Sequence, residues 1–455
     1  MNLETLMRSD RDREALIEET LKRLRAKLEQ DLPAEDATLD QIEEAVEKIG
    51  NDVLSDLQER LTNERSKGPR KNCIGCSCGQ KARYRKTDTR TLITQHGLLR
   101  FRRPYYYCDA CGKGLAPLDA TLALDRANTT LKVREWMAHL TPRLGFVEAT
   151  QTLQTLRGID LSCATLEGVS VAAGTSLRAT QTQEARLHQK GQLPDQKTAC
   201  PRRLYIGADG VMVPLRDPWK KDGSGGDLNC RFGECKTGVV YETYQDAQGK
   251  DGRVKRRAYT ATLEGVETFE PLLGTLAHRF GHHAAKEVVV LGDGAPWIWF
   301  MFGRQFPGAL QILDFYHACE HLARVADACF GKDTDLSRAW QKARQAELKA
   351  NQLSKVLRAI FAFKPTNKAD HKLRLSEFRY FRHNAERMRY ATYLAKGYHI
   401  GSGVVEAGCK HVVAQRMDQA GMHWTKEAAE AIITLRANQL CTQPVDLRPH
   451  LGFAA

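Results

Sequence analysis

A chain of 455 residues is too long for one hydrophobic core, so we expect three or four domains, and its 42% hydrophobic content is ordinary for a soluble protein. The polar first residues and the lack of long apolar runs exclude a secretion signal and a transmembrane helix, and they predict a cytoplasmic protein whose 13 cysteines are free or metal-bound. The net charge is +13, yet residues 1–65 hold 10 Lys and Arg against 18 Asp and Glu, so the rest of the chain is strongly basic and predicts a polyanionic partner.

Residues 1–65 predict a helical arm. Apolar residues recur at helical spacing in two segments, 16–24 and 42–57, and a proline separates them. Thr38 followed by Gln41 predicts a capping box at the start of the second helix. Both helices are too polar for a buried core, so they either pack on the body of the protein or pair between two protomers.

Residues 66–120 predict a zinc-ribbon-like domain. Lys and Arg outnumber Asp and Glu by 12 to 2 between residues 66 and 118. Five cysteines lie at the two ends of a strand-like segment: Cys73, Cys76, Cys78, Cys108 and Cys111. Four thiolates can hold a structural Zn²⁺ tetrahedrally and stabilise a hairpin too small to fold alone, whereas the alternative is a set of incidental thiols. The downstream Cys-x-x-Cys pair is clear, while the upstream pair is either Cys-x-x-Cys or the following Cys-x-Cys.

The segment between these cysteines predicts a hairpin that faces DNA. Its sequence, RTLITQHGLLRFRRPYYYC, is typical of two strands joined by a turn near His96 and Gly97. Three arginines would lie beside the tyrosine run and suit DNA phosphates: Arg100, Arg102 and Arg103.

Residues 121–182 predict a helix-turn-helix-like domain. Apolar spacing marks one helix around Leu140 and a second over 146–156, and Ser162 can cap a third helix after a break at Gly158. Such helices can contact DNA, but the same pattern is also common in purely structural helical packing.

After a linker at 183–202, residues 203–315 predict the first part of an α/β catalytic core. We expect three strands, a helix, a strand, a helix and a last strand, with the strands at 203–209, 237–246, 253–263, 286–292 and 309–313. This is the element order of a ribonuclease H-like domain. The first strand ends on Asp209, where Gly210 lets the backbone turn away, and the fourth strand is followed by Asp293.

Residues 316–396 predict a helical insertion, and residues 397–455 return the chain to the core. The insertion is basic, with Arg379 and Arg382 among aromatic residues, so it binds nucleic acid or forms a solvated helix bundle. A third acid, Glu406, lies beyond it on a helix that begins after Gly-Ser-Gly. Two basic residues further along this helix are predicted DNA contacts: Lys410 and Arg416.

These three acids predict metal-dependent phosphodiester chemistry. Asp209, Asp293 and Glu406 can converge on two hard cations, and carboxylate oxygens suit Mg²⁺ or Mn²⁺. Two such ions activate an attacking oxygen and stabilise a leaving one, so no Ser or Tyr nucleophile is required. Asp314 and His317, three residues apart, are predicted to support this site, and the alternative is a buried hydrogen-bonded pair.

Several segments together resemble a known family: GDGAPWIW, LDFYHACEHL, GSGVVEAGCK, and RMDQAGMHW with a following helix that ends in LRAN. They are similar to bacterial insertion-sequence transposases of the ISKra group, which are DDE transposases related to the Mutator-like superfamily. CDACGKGLAPLD resembles the end of their zinc ribbon, and the resemblance covers roughly residues 70–440. The upstream cysteines depart from the family, whose Cys-x-x-Cys-Gly would need a cysteine where this chain has Gly75.

The resemblance implies a catalytic triad of Asp209, Asp293 and Glu406, and it matches the Asp-x-x-His of Mutator relatives to Asp314 and His317. It implies a transposase that cuts the ends of a mobile element and transfers the 3′-hydroxyl strands to target DNA. The implied partners are double-stranded DNA and further copies of the chain, as a homodimer or larger assembly in the nucleoid. Two alternatives are a DNA-binding regulator derived from such an enzyme and a ribonuclease H-like nuclease that only cleaves.

Overall fold

A computed structural model describes residues 10–66, 70–194, 201–217, 230–365 and 367–452. They divide into two compact units, one drawn from Met1–Ala138, Phe146–Val169 and Leu451–Ala455, the other from His139–Gly145 and Ser170–His450. Both units combine helices with a β-sheet, which confirms the predicted multidomain α+β class. Within the described ranges, no helix is both long and apolar enough to cross a membrane.

The first unit begins with two helices, α1 (Asp10–Asp31) and α2 (Leu39–Ser66), as predicted. The capping box is also confirmed, because the Thr38 amide donates to Gln41 Oε1 at 2.9 Å and the Gln41 amide donates to Thr38 Oγ1 at 3.4 Å. The second half of α2 packs on the hairpin that follows, where Asn63 Oδ1 accepts from the Arg102 amide at 3.1 Å. The arm therefore contacts the body of its own unit.

A four-stranded antiparallel sheet follows the arm. Its strands occur in chain order as β1 (Cys73–Gly75), β2 (Lys81–Thr94), β3 (Gly97–Cys108) and β4 (Lys113–Leu115). The turn between β2 and β3 lies at the predicted position, and Gly97 has a φ of 104° that favours glycine. The sheet brings the chain back on itself, so that the two ends of the segment, which carry the cysteines, meet.

Four helices come next: α3 (Pro117–Thr121), α4 (Leu131–Leu140), α5 (Phe146–Arg157) and α6 (Cys163–Gln189). The Thr165 amide donates to Ser162 Oγ at 3.2 Å, which confirms the predicted cap of α6. The linker prediction at 183–202 is wrong at its start, because α6 continues to Gln189 until Gly191, with a φ of 65°, ends it. Residues 195–200 of that linker lie outside the described residues.

The second unit is built on a five-stranded sheet of β5 (Arg203–Leu215), β6 (Arg231–Gln245), β7 (Asp251–Thr262), β8 (Glu287–Gly292) and β9 (Leu310–Leu313). The strand order is β7-β6-β5-β8-β9. The first three strands are antiparallel, and β8 and β9 run parallel to β5. Two helices connect the later strands, α7 (Val266–Arg279) and α8 (Pro296–Gln305), so the predicted order of strands and helices is confirmed.

Strand β5 does not end at Asp209 as predicted. It continues to Leu215, because alternating apolar residues after Gly210 keep one side of the strand buried. Pairing with the parallel strand β8 stops at Gly207, and from there β5 pairs with β6 alone. Gly210 therefore lies inside a strand rather than at a turn.

Five helices separate β9 from the last part of the chain: α9 (Phe315–Phe330), α10 (Asp335–Lys349), α11 (Leu353–Ala362), α12 (Lys368–His383) and α13 (Tyr390–Ala395). The chain then forms α14 (Gly403–Gly408), which runs through a π-helical turn (Cys409–Ala414) into α15 (Gln415–Met417). Helix α16 (Lys426–Leu440) is buried on nearly every side and packs on β7, where Thr262 Oγ1 donates to Glu430 Oε1 at 2.8 Å.

Candidate active site

The carboxyl ends of β8 and β9 place two aspartates side by side. Asp293 follows the last residue of β8, and Asp314 follows the last residue of β9. Because the two strands are parallel neighbours, both residues emerge at one edge of the sheet, where the Asp314 amide donates to the Gly292 carbonyl at 2.9 Å. The side chain of Asp293 accepts a hydrogen bond from the Ala295 amide at 2.8 Å, which fixes the carboxylate above the following turn.

Asp209 faces the same edge from the central strand β5. It is half-buried, and its carboxylate accepts hydrogen bonds from the Gly210 amide at 2.7 Å and from the Cys409 thiol at 3.5 Å. Burial and the negative charge of Asp293 raise the pKa of Asp209, whereas the Gly210 amide, Cys409 and His317 lower it. The structure therefore brings Asp209 and Asp293 close enough for their charges to interact.

Helix α14 carries Glu406 to this edge. The helix lies close over β5 at Gly207. A Cβ atom at this position would come 2.2 Å from Val405 Cγ2, so only glycine leaves space for the helix. Cys409, which contacts Asp209, lies three residues after Glu406, so the two side chains share one face of the helix. Glu406 is exposed and accepts a hydrogen bond from Ser402 Oγ at 3.2 Å. Ser402 is the residue before α14, and its side chain does not cap the helix.

The three carboxylates do not form one tight cluster. Among the described residues, Asp209, Asp293 and Glu406 are not a group whose ligand atoms all lie within 4.8 Å. Ligands of two different ions need not meet that spacing, since the ions themselves lie about 3.5–4 Å apart. The arrangement is thus two interacting aspartates on adjacent strands, with a glutamate on the helix that covers one of them.

Asp314 links the sheet to the start of α14. Its side chain is completely buried, and one oxygen caps α9 by accepting from the His317 amide at 2.5 Å. The other oxygen accepts from the Ser402 amide, just before α14 begins. Asp314 therefore binds the backbone of His317 rather than its ring, and it fixes the position from which the helix of Glu406 departs.

Two aromatic side chains in the helical segment support the turn after β8, and sequence reasoning missed both. Tyr380 on α12 donates to the Asp293 carbonyl at 2.8 Å and stacks on the His321 ring, with 3.6 Å between ring centroids. His321 Nδ1 in turn lies 2.5 Å from Glu377 Oε2. In the sequence, the only indication of this role for Tyr380 and His321 is their position in the predicted helical insertion. Cys409 was also missed, although its spacing from Glu406 could have indicated it.

The first unit holds a second cluster, at the base of its hairpin. Four sulfurs lie within 4.8 Å of one another: Cys76, Cys78, Cys108 and Cys111. The Cys76–Cys111 and Cys78–Cys108 sulfur distances are 3.5 and 3.6 Å. Zn–S bonds of about 2.3 Å separate tetrahedral sulfurs by roughly 3.8 Å, so the spacing fits a zinc ion. Of the two upstream pairings, the structure brings the Cys-x-Cys into the cluster, and Cys73 is exposed at the start of β1.

A family model of an uncharacterised protein family matches residues 36–444. The chain belongs to the family UPF0236. No curated protein matches the sequence. Among solved structures, the Drosophila P element transposase strand transfer complex is 10% identical, and the match covers 70% of this chain and 81% of that chain with a TM-score of 0.25. A score that low carries no argument about fold or activity.

The predicted DNA-binding residues of this UPF0236 chain fall into two groups. Five are exposed and available to a partner: Arg100, Arg102, Arg379, Arg382 and Lys410. Arg416 is fully buried, so its prediction as a DNA contact is wrong. Its Nε donates to the Thr141 carbonyl at 2.8 Å, and its guanidinium lies 4.7 Å from the centroid of the Trp424 ring. The arginine is held inside the unit because these contacts replace water.

Arg103 also differs from its prediction. Its side chain is only 17% exposed and forms ion pairs with Asp119 and, at 3.7 Å, with Asp88. Burial lowers the pKa of Arg103, and the two carboxylates offset its charge within the same unit. Of the three arginines predicted to face DNA there, only Arg100 and Arg102 are exposed.

Proposed function

We propose that this member of UPF0236 is a DDE-type DNA transposase, which cleaves the ends of a mobile element and transfers the 3′-hydroxyl strands into target DNA. The observation that carries the proposal is the convergence of Asp209 and Asp293 at one sheet edge beneath the helix of Glu406. The resemblance of the sequence to ISKra-group transposases supports the same conclusion independently.

The topology supports a ribonuclease H-like catalytic domain. Three strands, a helix, a strand, a helix and a last strand match the element order predicted for such a domain. Helices α9–α13 intervene between β9 and Glu406 in the sequence, and we assign them as the helical insertion. Asp314 would then be a positioning residue. Its hydrogen bond to the Ser402 amide holds the chain at the end of β9 where the insertion finishes.

The donor set fits Mg²⁺ or Mn²⁺. Asp209, Asp293 and Glu406 offer only carboxylate oxygens, which hard divalent cations prefer. Two aspartates that repel one another at a half-buried edge gain from a cation between them, because the opposite charge offsets the repulsion. Two bound ions would activate the attacking oxygen and stabilise the leaving oxygen of a phosphodiester. The chain's own residues hold the acids in place, and none is needed as a covalent nucleophile.

The first unit suits a DNA-binding role. We propose that Cys76, Cys78, Cys108 and Cys111 hold a structural zinc ion that closes the hairpin. Arg100 and Arg102 would then present positive charge to double-stranded DNA from a rigid sheet, and counterion release would make this binding salt-dependent. On the second unit, the exposed cations on α12 and Lys410 would bind phosphates near the acids. We propose at least a dimer on paired element ends.

The decisive experiment is Mg²⁺-dependent cleavage and joining on DNA that carries the element ends. Asp293→Asn keeps the size of the side chain and removes a metal ligand, so we expect cleavage to fall at least about a hundredfold while DNA binding persists. Asp418→Asn, an exposed carboxylate outside the site, is the matched control and should cut like wild type.

Each other outcome points to a different protein. If wild type binds the ends but never cuts with Mg²⁺ or Mn²⁺, the transposase proposal fails and a DNA-binding regulator is the better account. If it cuts but never joins a 3′-hydroxyl end to target DNA, a ribonuclease H-like nuclease replaces it. If it stays monomeric on paired ends, the joining reaction loses its support.

A further inference from the structure

Four histidines meet in the second unit, and the proposed function uses none of them. The ligand atoms of His278, His282 and His283 all lie within 4.8 Å of one another. His188 joins them from α6, with its ring centroid 4.7 Å from that of His278. The group lies at the end of α7 and in the turn that precedes β8, so it occupies the sheet edge opposite to the acids.

The chain folds specifically to bring these rings together. After α7 ends at Arg279, Gly281 adopts a φ of 78°, a left-handed conformation that glycine allows, and the backbone reverses. The Gly281 amide donates to the His278 carbonyl at 2.8 Å, which closes the reversal. The following short 3₁₀ helix therefore sets His282 and His283 against the last turn of α7.

The hydrogen bonding of His188 leaves one ring nitrogen for a ligand. The buried Thr275 hydroxyl donates to the Pro271 carbonyl at 2.8 Å, so its oxygen accepts from His188 Nδ1, 3.3 Å away. The proton of the neutral ring is then on Nδ1, and the lone pair is on Nε2. A metal-binding histidine commonly shows this arrangement, in which a protein oxygen fixes the ring through its other nitrogen.

One buried nitrogen of the cluster also suits a metal. His282 Nδ1 is buried and has no hydrogen-bond partner within the described residues. An unsatisfied buried nitrogen is costly, and a bound ion would remove that cost.

We propose that His278, His282 and His283 bind one transition-metal ion, best satisfied by Zn²⁺, and that Nε2 of the adjacent His188 closes on the ion as the fourth ligand. Imidazole suits zinc and its neighbours in the first transition row, whereas Mg²⁺ prefers oxygen. The six residues of β8 separate this site from Asp293 by roughly 20 Å at about 3.3 Å per residue. The ion would join the end of α6 to the start of β8, so its role is structural.

Cobalt titration of the metal-free full-length protein tests the proposal, because Co²⁺ reports its ligands by absorption. We expect one ion with visible d–d bands and no thiolate charge-transfer band, in addition to any ion held by the cysteines. His283→Asn changes an exposed ligand and should weaken only the nitrogen site, by more than about tenfold. His371→Asn, an exposed histidine on α12, is the matched control and should leave both signals unchanged.

Thermal unfolding provides a second measurement that does not depend on spectra. Added Zn²⁺ should raise the melting temperature of the second unit in wild type and in the control, but not in His283→Asn, because an ion that binds only the folded state stabilises it. Without metal, the variant should melt like metal-free wild type. The proposal is overturned if every bound Co²⁺ shows a thiolate charge-transfer band, or if His283→Asn binds the nitrogen-ligated ion as tightly as wild type.

Discussion

The cysteine cluster and the carboxylate edge are both groups of candidate metal ligands, yet they are assembled in opposite ways. The cysteines come from one hairpin, and the register of four adjacent strands places the sulfurs 3.5 to 3.6 Å apart in pairs. The acids come from two strands and a helix, and Asp293 lies 84 positions after Asp209 and 113 positions before Glu406. The cysteine cluster therefore depends on pairing between adjacent strands, whereas the carboxylate edge depends on the packing of the whole second unit.

The largest effect should follow from breaking the local site. Cys108→Ser removes one of the four clustered sulfurs, and a structural zinc site of this kind contributes about 10 kcal/mol or more to folding. We expect the four-stranded sheet of the first unit to become sensitive to proteolysis. The protein should also bind one zinc ion fewer. The measurements are limited proteolysis and metal content by mass spectrometry.

Cys73→Ser is the matched control for that experiment. Cys73 is exposed and lies outside the cluster, so this variant should keep its zinc and its protease resistance. If Cys73→Ser loses as much zinc and protease resistance as Cys108→Ser, Cys73 is a ligand and the proposed set of four cysteines is wrong.

The dispersed site should respond to a residue that is not one of its acids. Asp314→Asn keeps the shape of the side chain but cannot accept from both the His317 and Ser402 amides, so we expect a loss of about 2–3 kcal/mol in the free energy of unfolding. Cleavage should fall more than DNA binding, because the start of the Glu406 helix is released. Urea unfolding and a cleavage assay check the two parts, and unchanged cleavage would remove Asp314 from the support of the site.

A smaller steric change should also reach the acids. Gly207→Ala places a Cβ atom 2.2 Å from Val405 Cγ2 and must push α14 away from β5. Overpacking of this kind costs about 1–3 kcal/mol, and Glu406 moves with the helix. We expect slower cleavage at unchanged DNA affinity. Gly303→Ala on α8 is the control, since a Cβ atom there meets nothing within 4 Å and alanine favours a helix.

The smallest effect should come from a residue outside both sites. Arg379→Ala should weaken DNA binding severalfold and reduce the slope of binding against salt by about one, with stability changed by less than about 0.5 kcal/mol. Arg416→Leu should do the reverse, because it leaves the Thr141 carbonyl without its donor and destabilises the fold without changing the salt slope. Binding titrations at several salt concentrations, together with melting curves, separate the two.

The same contrast explains how far the sequence could lead. Local patterns depend on neighbouring residues, and they correctly predicted the Thr38–Gln41 capping box, the cap at Ser162 and the succession of strands and helices along the chain. The sequence pattern also selected Asp209 and Asp293, whose charges interact in the structure. Whether those acids hold metal remains a prediction.

The errors share one physical cause, which is that burial is decided by remote parts of the chain. The sequence around a helical arginine does not show whether its side chain faces solvent or packs on a tryptophan ring. Adjacent residues in the sequence therefore could not assign Arg416 to the interior. The apolar run before Asp209 and the glycine after it predicted the end of a strand, although β5 continues to Leu215 by pairing with β6. Tyr380 and Cys409 act through contacts with residues 87 and 200 positions away, and no local pattern encodes such distances.

The π-helical turn at Cys409–Ala414 holds one residue more than an α-helix of the same phase would need. Each residue of an α-helix advances the helical phase by about 100°, so one extra residue in a regular helix would turn one end away from the other. The wide turn absorbs that residue, and Glu406 and the buried Arg416 keep their relative orientation. Deleting one residue from the turn would therefore let an ordinary α-helix form at the same phase, whereas deleting one residue of α14 after Glu406 would rotate the glutamate by about 100°.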